Sequence, residues 1–119
     1  MPEAIRSILG LTATLQGRTP SELGVQRIAI IPLQDGAGNE LSRFCWAVQV
    51  LTELTAAAPP VLVHCQAGWS RSPAVVAGYL MRTQGLTAEK ALADIATKRT
   101  LSMVPELRAL LTRFERECV

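Results

Sequence analysis

Pro60-Val61-Leu62-Val63-His64-Cys65-Gln66-Ala67-Gly68-Trp69-Ser70-Arg71-Ser72-Pro73 reads as a strand, a tight loop and the start of a helix. Pro60 to Val63 is the apolar approach, and Val75 to Leu80 carries the helix onward. Cys65 and Arg71 stand six positions apart, with Gly68 midway and Ser72 directly after the arginine. A loop of this kind turns successive backbone N–H groups inward, and the helix N-terminus adds partial positive charge. The stretch therefore makes an anion site with a thiol at its mouth. Arg71 on a solvated helix start would be electrostatically poor, since a cation meets the positive end of the helix dipole there. A bound anion resolves that conflict.

The alternation around this stretch sets the fold class. Ile5 to Leu11 reads as a first strand. Thr19-Pro20-Ser21-Glu22-Leu23-Gly24 reads as a short helical turn, with a cap, a proline at the first helical position and a closing glycine. Ile28-Ala29-Ile30-Ile31-Pro32-Leu33 reads as a second, buried parallel strand. Leu41 to Ala58 is a helix with Leu41, Phe44, Val48 and Leu51 on one face, stopped by Pro59-Pro60. Val61 to His64 is the third strand. Arg71 to Gln84 is a mostly apolar central helix closed by Gly85, and Thr87 to Lys98 is a helix capped by Thr87. Pro105 to Glu117 closes the chain, with Leu107, Leu110, Leu111 and Phe114 at helical spacing. Strand–helix–strand repetition predicts an α/β fold: a small, mostly parallel sheet with right-handed crossovers, flanked by helices. No internal repeat, low-complexity tract or linker interrupts it.

The chain has 119 residues, 49% of them apolar, which predicts one domain with a modest core. Its apolar runs are too short or too broken to span a membrane. Met1-Pro2-Glu3-Ala4 shows no basic segment followed by an apolar one, so no secretory signal is expected. Three cysteines do not make a disulfide framework, and a net charge of +2 is too small to point to nucleic acid. His64 is the only histidine and has no clustered ligand spacing around it, so neither a metal nor another cofactor is expected.

The chemistry of the loop follows from its residue types. A thiolate is the nucleophilic form of cysteine, and helix N-termini and nearby cations favour it. The N–H groups that favour the thiolate can also hold the oxygens of a phosphoryl group. The planar fork of Arg71 matches two such oxygens. Ser72 can donate a hydrogen bond to the Cys65 sulfur and ease its departure. His64 is placed to order the loop through hydrogen bonds.

The pattern His64-Cys65-x5-Arg71-Ser72 resembles the signature of the cysteine-dependent protein tyrosine phosphatases. With Ala67-Gly68 and Ser70-Arg71-Ser72 it is most similar to the dual-specificity branch. The resemblance implies that Cys65 is the nucleophile, with Arg71 as its phosphate-binding partner. It implies a phosphate-binding loop of Gln66, Ala67, Gly68, Trp69, Ser70 and Arg71, with Ser72 assisting the sulfur. It also implies a general acid one strand–helix unit earlier. Asp35 is the residue there, just past the carboxyl end of one strand as Cys65 is past another, where open parallel sheets form their ligand sites. By itself Asp35-Gly36 reads equally as a turn pair; the downstream motif favours the acid. Gly36 and Gly38 suit a loop that closes on substrate.

The likeness runs from the first strand to the last helix, with two departures. The family's domain opens with strands ahead of the segment matching Ile5 to Leu11, so residues 1–119 are expected to form a minimal single catalytic domain lacking them. The family often carries Pro-Asn where this chain has Pro105-Glu106, which puts a contact from that asparagine in doubt. Around Arg99 the chain is similar to the family's late loop, making Arg99 a candidate substrate contact. Lys98-Arg99 reads as a solvated helix end or as a magnet for a second phosphate. Trp69 reads equally as a pocket rim stacking on a phenyl ring or as packing against a neighbouring loop. Cys45 reads as core. The family's habit of protecting its thiolate by a disulfide raises a Cys45–Cys65 link as the other reading, and Cys118 lies near a fraying end.

The expected activity is hydrolysis of phosphotyrosine, with phosphoserine and phosphothreonine, through a phosphocysteine. A short chain without added recognition loops implies a shallow pocket open to all three. Expected partners are a phosphorylated protein or peptide and phosphate-like oxyanion inhibitors, with no nucleic acid, no membrane and a monomeric chain in the cytoplasm. Two alternatives stand beside it. One is a phosphatase of a phosphoinositide, nucleotide or glucan, although Gln66 and Trp69 occupy positions where lipid phosphatases carry lysine. The other is a phospho-binding module without catalysis.

Overall fold

The computed structural model describes residues 4–66 and 70–118. Three strands, β1 (Ser7–Gly10), β2 (Arg27–Ile30) and β3 (Val61–His64), form one parallel sheet in the order β2-β1-β3. Ser7 pairs with Arg27 on one side and Val61 on the other, and Gly10 with Ile30 and His64. All three carboxyl ends therefore lie on one edge, so the segments leaving β2 and β3 flank the end of β1.

The helices are α1 (Pro20–Leu23), α2 (Leu41–Ala57), α3 (Arg71–Gln84), α4 (Ala88–Ala96) and α5 (Pro105–Glu117). A turn of 3-10 helix, Ala13–Leu15, lies between β1 and α1 and was not foreseen from sequence. The expected boundaries of β3, α3 and α5 coincide with those observed. The first two strands are shorter than their apolar runs. Pro32 has no N–H, and the β2 ladder stops before it. The chain stays alongside nonetheless, through Ile31 N–H to Gly10 O (2.8 Å) and Leu33 N–H to Leu11 O (3.0 Å). Helix α4 ends at Ala96 rather than Lys98, because Thr97 Oγ1 donates to Asp94 O (2.7 Å) in competition with the helical ladder.

The core lies between α2, α3 and α5. Phe44, Val48 and Leu51 of α2 meet Ala74, Ala77 and Met81 of α3 and Leu107, Leu111 and Phe114 of α5. The Phe44 and Phe114 rings cross edge to face, 5.3 Å between centroids. Gly78 lets the helices close up: a Cβ there would stand 2.7 Å from Val48 Cγ2 and 3.3 Å from the Phe44 ring. This packing fixes the N-terminus of α3 directly beyond β3. No helix among the described residues is long and apolar enough to cross a membrane.

Candidate active site

Cys65 is the first residue past β3 and is buried, 7% exposed. Ser72, in the first turn of α3, is 1% exposed and donates its hydroxyl hydrogen to Cys65 Sγ at 2.9 Å. The 14-residue helix α3 begins at Arg71 with no acidic side chain in its first turn, so its positive end is not neutralised. The thiol of Cys65 and the hydroxyl of Ser72 thus meet where a helix dipole favours negative charge.

Arg71 is half-buried and among the described residues donates one hydrogen bond, from Nη1 to Leu33 O at 3.2 Å. Leu33 lies two residues before Asp35, so the arginine is tied to the base of the second loop. A guanidinium has five N–H donors, which leaves a fork to face an oxyanion. Asp35 is exposed, and its carboxylate has no hydrogen bond among the described residues. Across residues 36–39 the second loop borders a groove of about 270 Å³ against Glu106, Leu110 and Arg113 of α5.

Two polar side chains do work that sequence reading did not assign. Ser70 is buried at 6%, and its Oγ accepts from Val104 N–H at 3.1 Å, fastening the far end of the cysteine loop to the segment before α5. Asn39 clasps the second loop: its Oδ1 accepts from Gln34 N–H (2.7 Å), and its Nδ2 donates to Gln34 O (2.8 Å) and Gly36 O (3.3 Å). The only hint was composition, since Asn in a Gly-rich turn readily bonds nearby backbone.

Of the other expected site residues, Gln66 is exposed, while Ala67, Gly68 and Trp69 fall outside the described residues. His64 Nδ1 is buried with no hydrogen-bond partner among the described residues, while its carbonyl accepts from Leu11 N–H at 2.7 Å. Exposed Arg99 lines a groove of about 210 Å³ between α3 and α4 that reaches Pro73, next to Ser72. Cys45 is half-buried, with Cys118 as its neighbour. Burial and that neighbour push it up to about 11. No trio of potential metal ligands occurs among the described residues.

Comparison with known proteins places the chain in a family and matches its fold. The family model "Dual specificity phosphatase, catalytic domain" matches residues 3–117. Dual specificity protein phosphatase Mpk3 of Drosophila melanogaster is 35% identical over 96 residues, covering 80% of this chain and 23% of Mpk3. Human dual specificity protein phosphatase 1 is 31% identical over 97 residues, 78% of this chain and 26% of its own length. The chain thus spans about a quarter of these curated relatives. Among solved structures, human DUSP28 superposes with a TM-score of 0.79 at 25% identity, covering 94% of this chain and 78% of DUSP28. A mouse putative dual specificity phosphatase, complexed with zinc tungstate, gives 0.80 at 25% identity, covering 94% and 70%.

Proposed function

The chain belongs to the dual specificity phosphatase catalytic-domain family, and from that premise we propose that it hydrolyses phosphomonoesters on proteins, on tyrosine and on serine or threonine, through a phosphocysteine at Cys65. The observation that carries the reading is the 2.9 Å contact of Ser72 Oγ with Cys65 Sγ at the start of α3. A hydroxyl donor and the N-terminus of a long helix both stand at this buried sulfur, the kind of surroundings in which reactive cysteines sit.

In the first step the Cys65 thiolate attacks phosphorus in line. The leaving oxygen takes a proton from Asp35, and a phosphocysteine remains. Arg71 and the loop amides hold the equatorial oxygens, whose charge peaks in the transition state. In the second step Asp35 takes a proton from water, the water oxygen attacks phosphorus, and Cys65 leaves as thiolate under the Ser72 hydrogen bond. The tungstate carried by the mouse protein is an oxyanion of phosphate's shape and charge, and this chain's loop is proposed to take such ions as inhibitors. Because the reaction needs a free thiol, the proposed setting is a reducing compartment such as the cytoplasm.

The decisive experiment is Cys65→Ser. Turnover of a phosphotyrosine peptide and of an aryl phosphate is expected to fall by about four orders of magnitude or more, while tungstate still raises Tm. Turnover retained in this variant would refute the assignment.

A further inference from the structure

We infer that Asn39 is a positioning residue for the general acid, holding the loop that presents Asp35; this rests on the proposed role of Asp35.

The observations converge on that side chain from independent directions. Asp35 has no side-chain hydrogen bond among the described residues, so among these its backbone is what places it. That backbone is intrinsically loose. Glycine follows Asp35 directly, and Gly38 sits at φ 97°, in the left-handed region that other residues adopt only with strain. The base of the loop is fixed at Leu33, by its N–H to Leu11 O (3.0 Å) and by Arg71 to its carbonyl (3.2 Å). Beyond Leu33, the bonds across the loop among the described residues come from Asn39. One carboxamide binds both the N–H and the carbonyl of Gln34, before the acid, and the carbonyl of Gly36, after it. Asp35 is held in the bracket between them.

The chemistry of the contacts fixes the orientation of the amide. Gln34 N–H can only donate and Gln34 O can only accept, so Oδ1 and Nδ2 cannot be exchanged. Glutamine, one methylene longer, would overshoot these short bonds. An aspartate would keep the bond from Gln34 N–H and lose both donors.

The side chain also forgoes an obvious alternative. Asn is among the preferred helix caps, and Asn39 stands at the entrance to α2. Yet α2 starts with Glu40 at its cap position and no side-chain cap bond. The asparagine is turned back onto the loop, leaving the helix end unpaired by side chains. Helix α2 is anchored through Phe44 and Ala47, both fully buried, so it is the rigid mount from which Asn39 reaches out.

The test compares two substrates in four proteins: wild type, Asn39→Ala, Asp35→Asn and the double variant. An alkyl phosphate needs its leaving oxygen protonated; an activated aryl phosphate does not. Asn39→Ala is expected to lower kcat/KM for the alkyl phosphate about tenfold, as a misplaced catalytic group does, and for the aryl phosphate less than about twofold. In the Asp35→Asn background, Asn39→Ala is expected to add nothing, since it acts only through the acid. Equal losses on both substrates, no loss on either, or additive losses in the double variant would overturn the inference. Should Asn39→Ala fail to fold, Asn39→Asp takes its place with the same expected split and the same overturning results. A steep loss with Asp35→Asn beside a flat Asn39 variant refutes the role of Asn39 alone. A flat response in Asp35→Asn refutes the acid assignment, and the inference with it.

Discussion

Cys65 and Asp35 leave the same edge of one sheet, but their surroundings differ in kind. The cysteine is buried, its hydroxyl partner Ser72 is buried, and α3 behind them is packed through Gly78 into the centre of the core. The aspartate is exposed, in a glycine-rich loop beside an open groove, and among the described residues its carboxylate makes no hydrogen bond. For the nucleophile proposed at Cys65, a fixed position serves in-line attack. The acid proposed at Asp35 would meet leaving groups of different size, which an adjustable loop serves. Each arm has one hydroxyl or amide that could cap its helix and instead ties its loop: Ser70 on the cysteine side, Asn39 on the acid side.

The contrast can be broken most sharply at the acid. Asp35→Asn is expected to slow an alkyl phosphate by about a hundredfold and an activated aryl phosphate far less, measured as kcat/KM across leaving groups. A uniform loss would mean that another residue donates the proton. On the rigid side, Ser72→Ala is expected to slow breakdown of the phosphocysteine about tenfold, by the loss of one hydrogen bond to a charged atom. Rapid quench should then show phosphoenzyme accumulating, and no accumulation would detach Ser72 from the second step.

A single substitution made in both regions sharpens the comparison further. Gly78→Ala forces a methyl against Val48 and Phe44. Overpacking costs about 1–3 kcal/mol, partly offset by about 1 kcal/mol of helix propensity. Tm should fall by several degrees in calorimetry. Gly36→Ala meets nothing within 4 Å and should leave Tm within a degree or two, since open surface changes stay within about 0.5 kcal/mol. Equal shifts would show the two regions to be alike in packing.

The smallest effect concerns Cys45, remote from both loops. Its thiol stays protonated in the fold to about 11, against an ordinary value of 9.0. Folding therefore favours the protonated form. That contribution is complete below pH 9 and lost as pH rises towards 11. Denaturation midpoints should fall over this window, with a shallower slope in Cys45→Ala; identical slopes would contradict the shift.

Much of this was legible in the chain. The β3–loop–α3 stretch is local, and its boundaries, its cysteine and its Ser72 contact, seven positions on, could be read from neighbouring residues. The parallel direction of the strands followed from the alternation, while their order, β2-β1-β3, emerged only in the fold. Less legible was whatever depends on contacts between distant segments. Ser70 meets Val104 across 34 positions, and Arg71 reaches Leu33 across 38. Cys45 packs against the core as its helix position implies, but its cysteine neighbour is Cys118, just past α5 and far along the chain. Strand ends were overrun where apolar residues stay buried beyond the ladder, as at Ile31 and Leu33.

The bond between Ser70 and Val104 also bears on the order in which the molecule comes together. The cysteine loop is bounded by two elements that can pair early, β3 and α3, but its last fastening comes from a residue beyond α4, just ahead of the final helix. During synthesis the nucleophile is therefore made long before the peg that steadies its loop. A nascent chain stopped short of Val104 would carry the groups proposed for the site but lack the bond that fastens their loop.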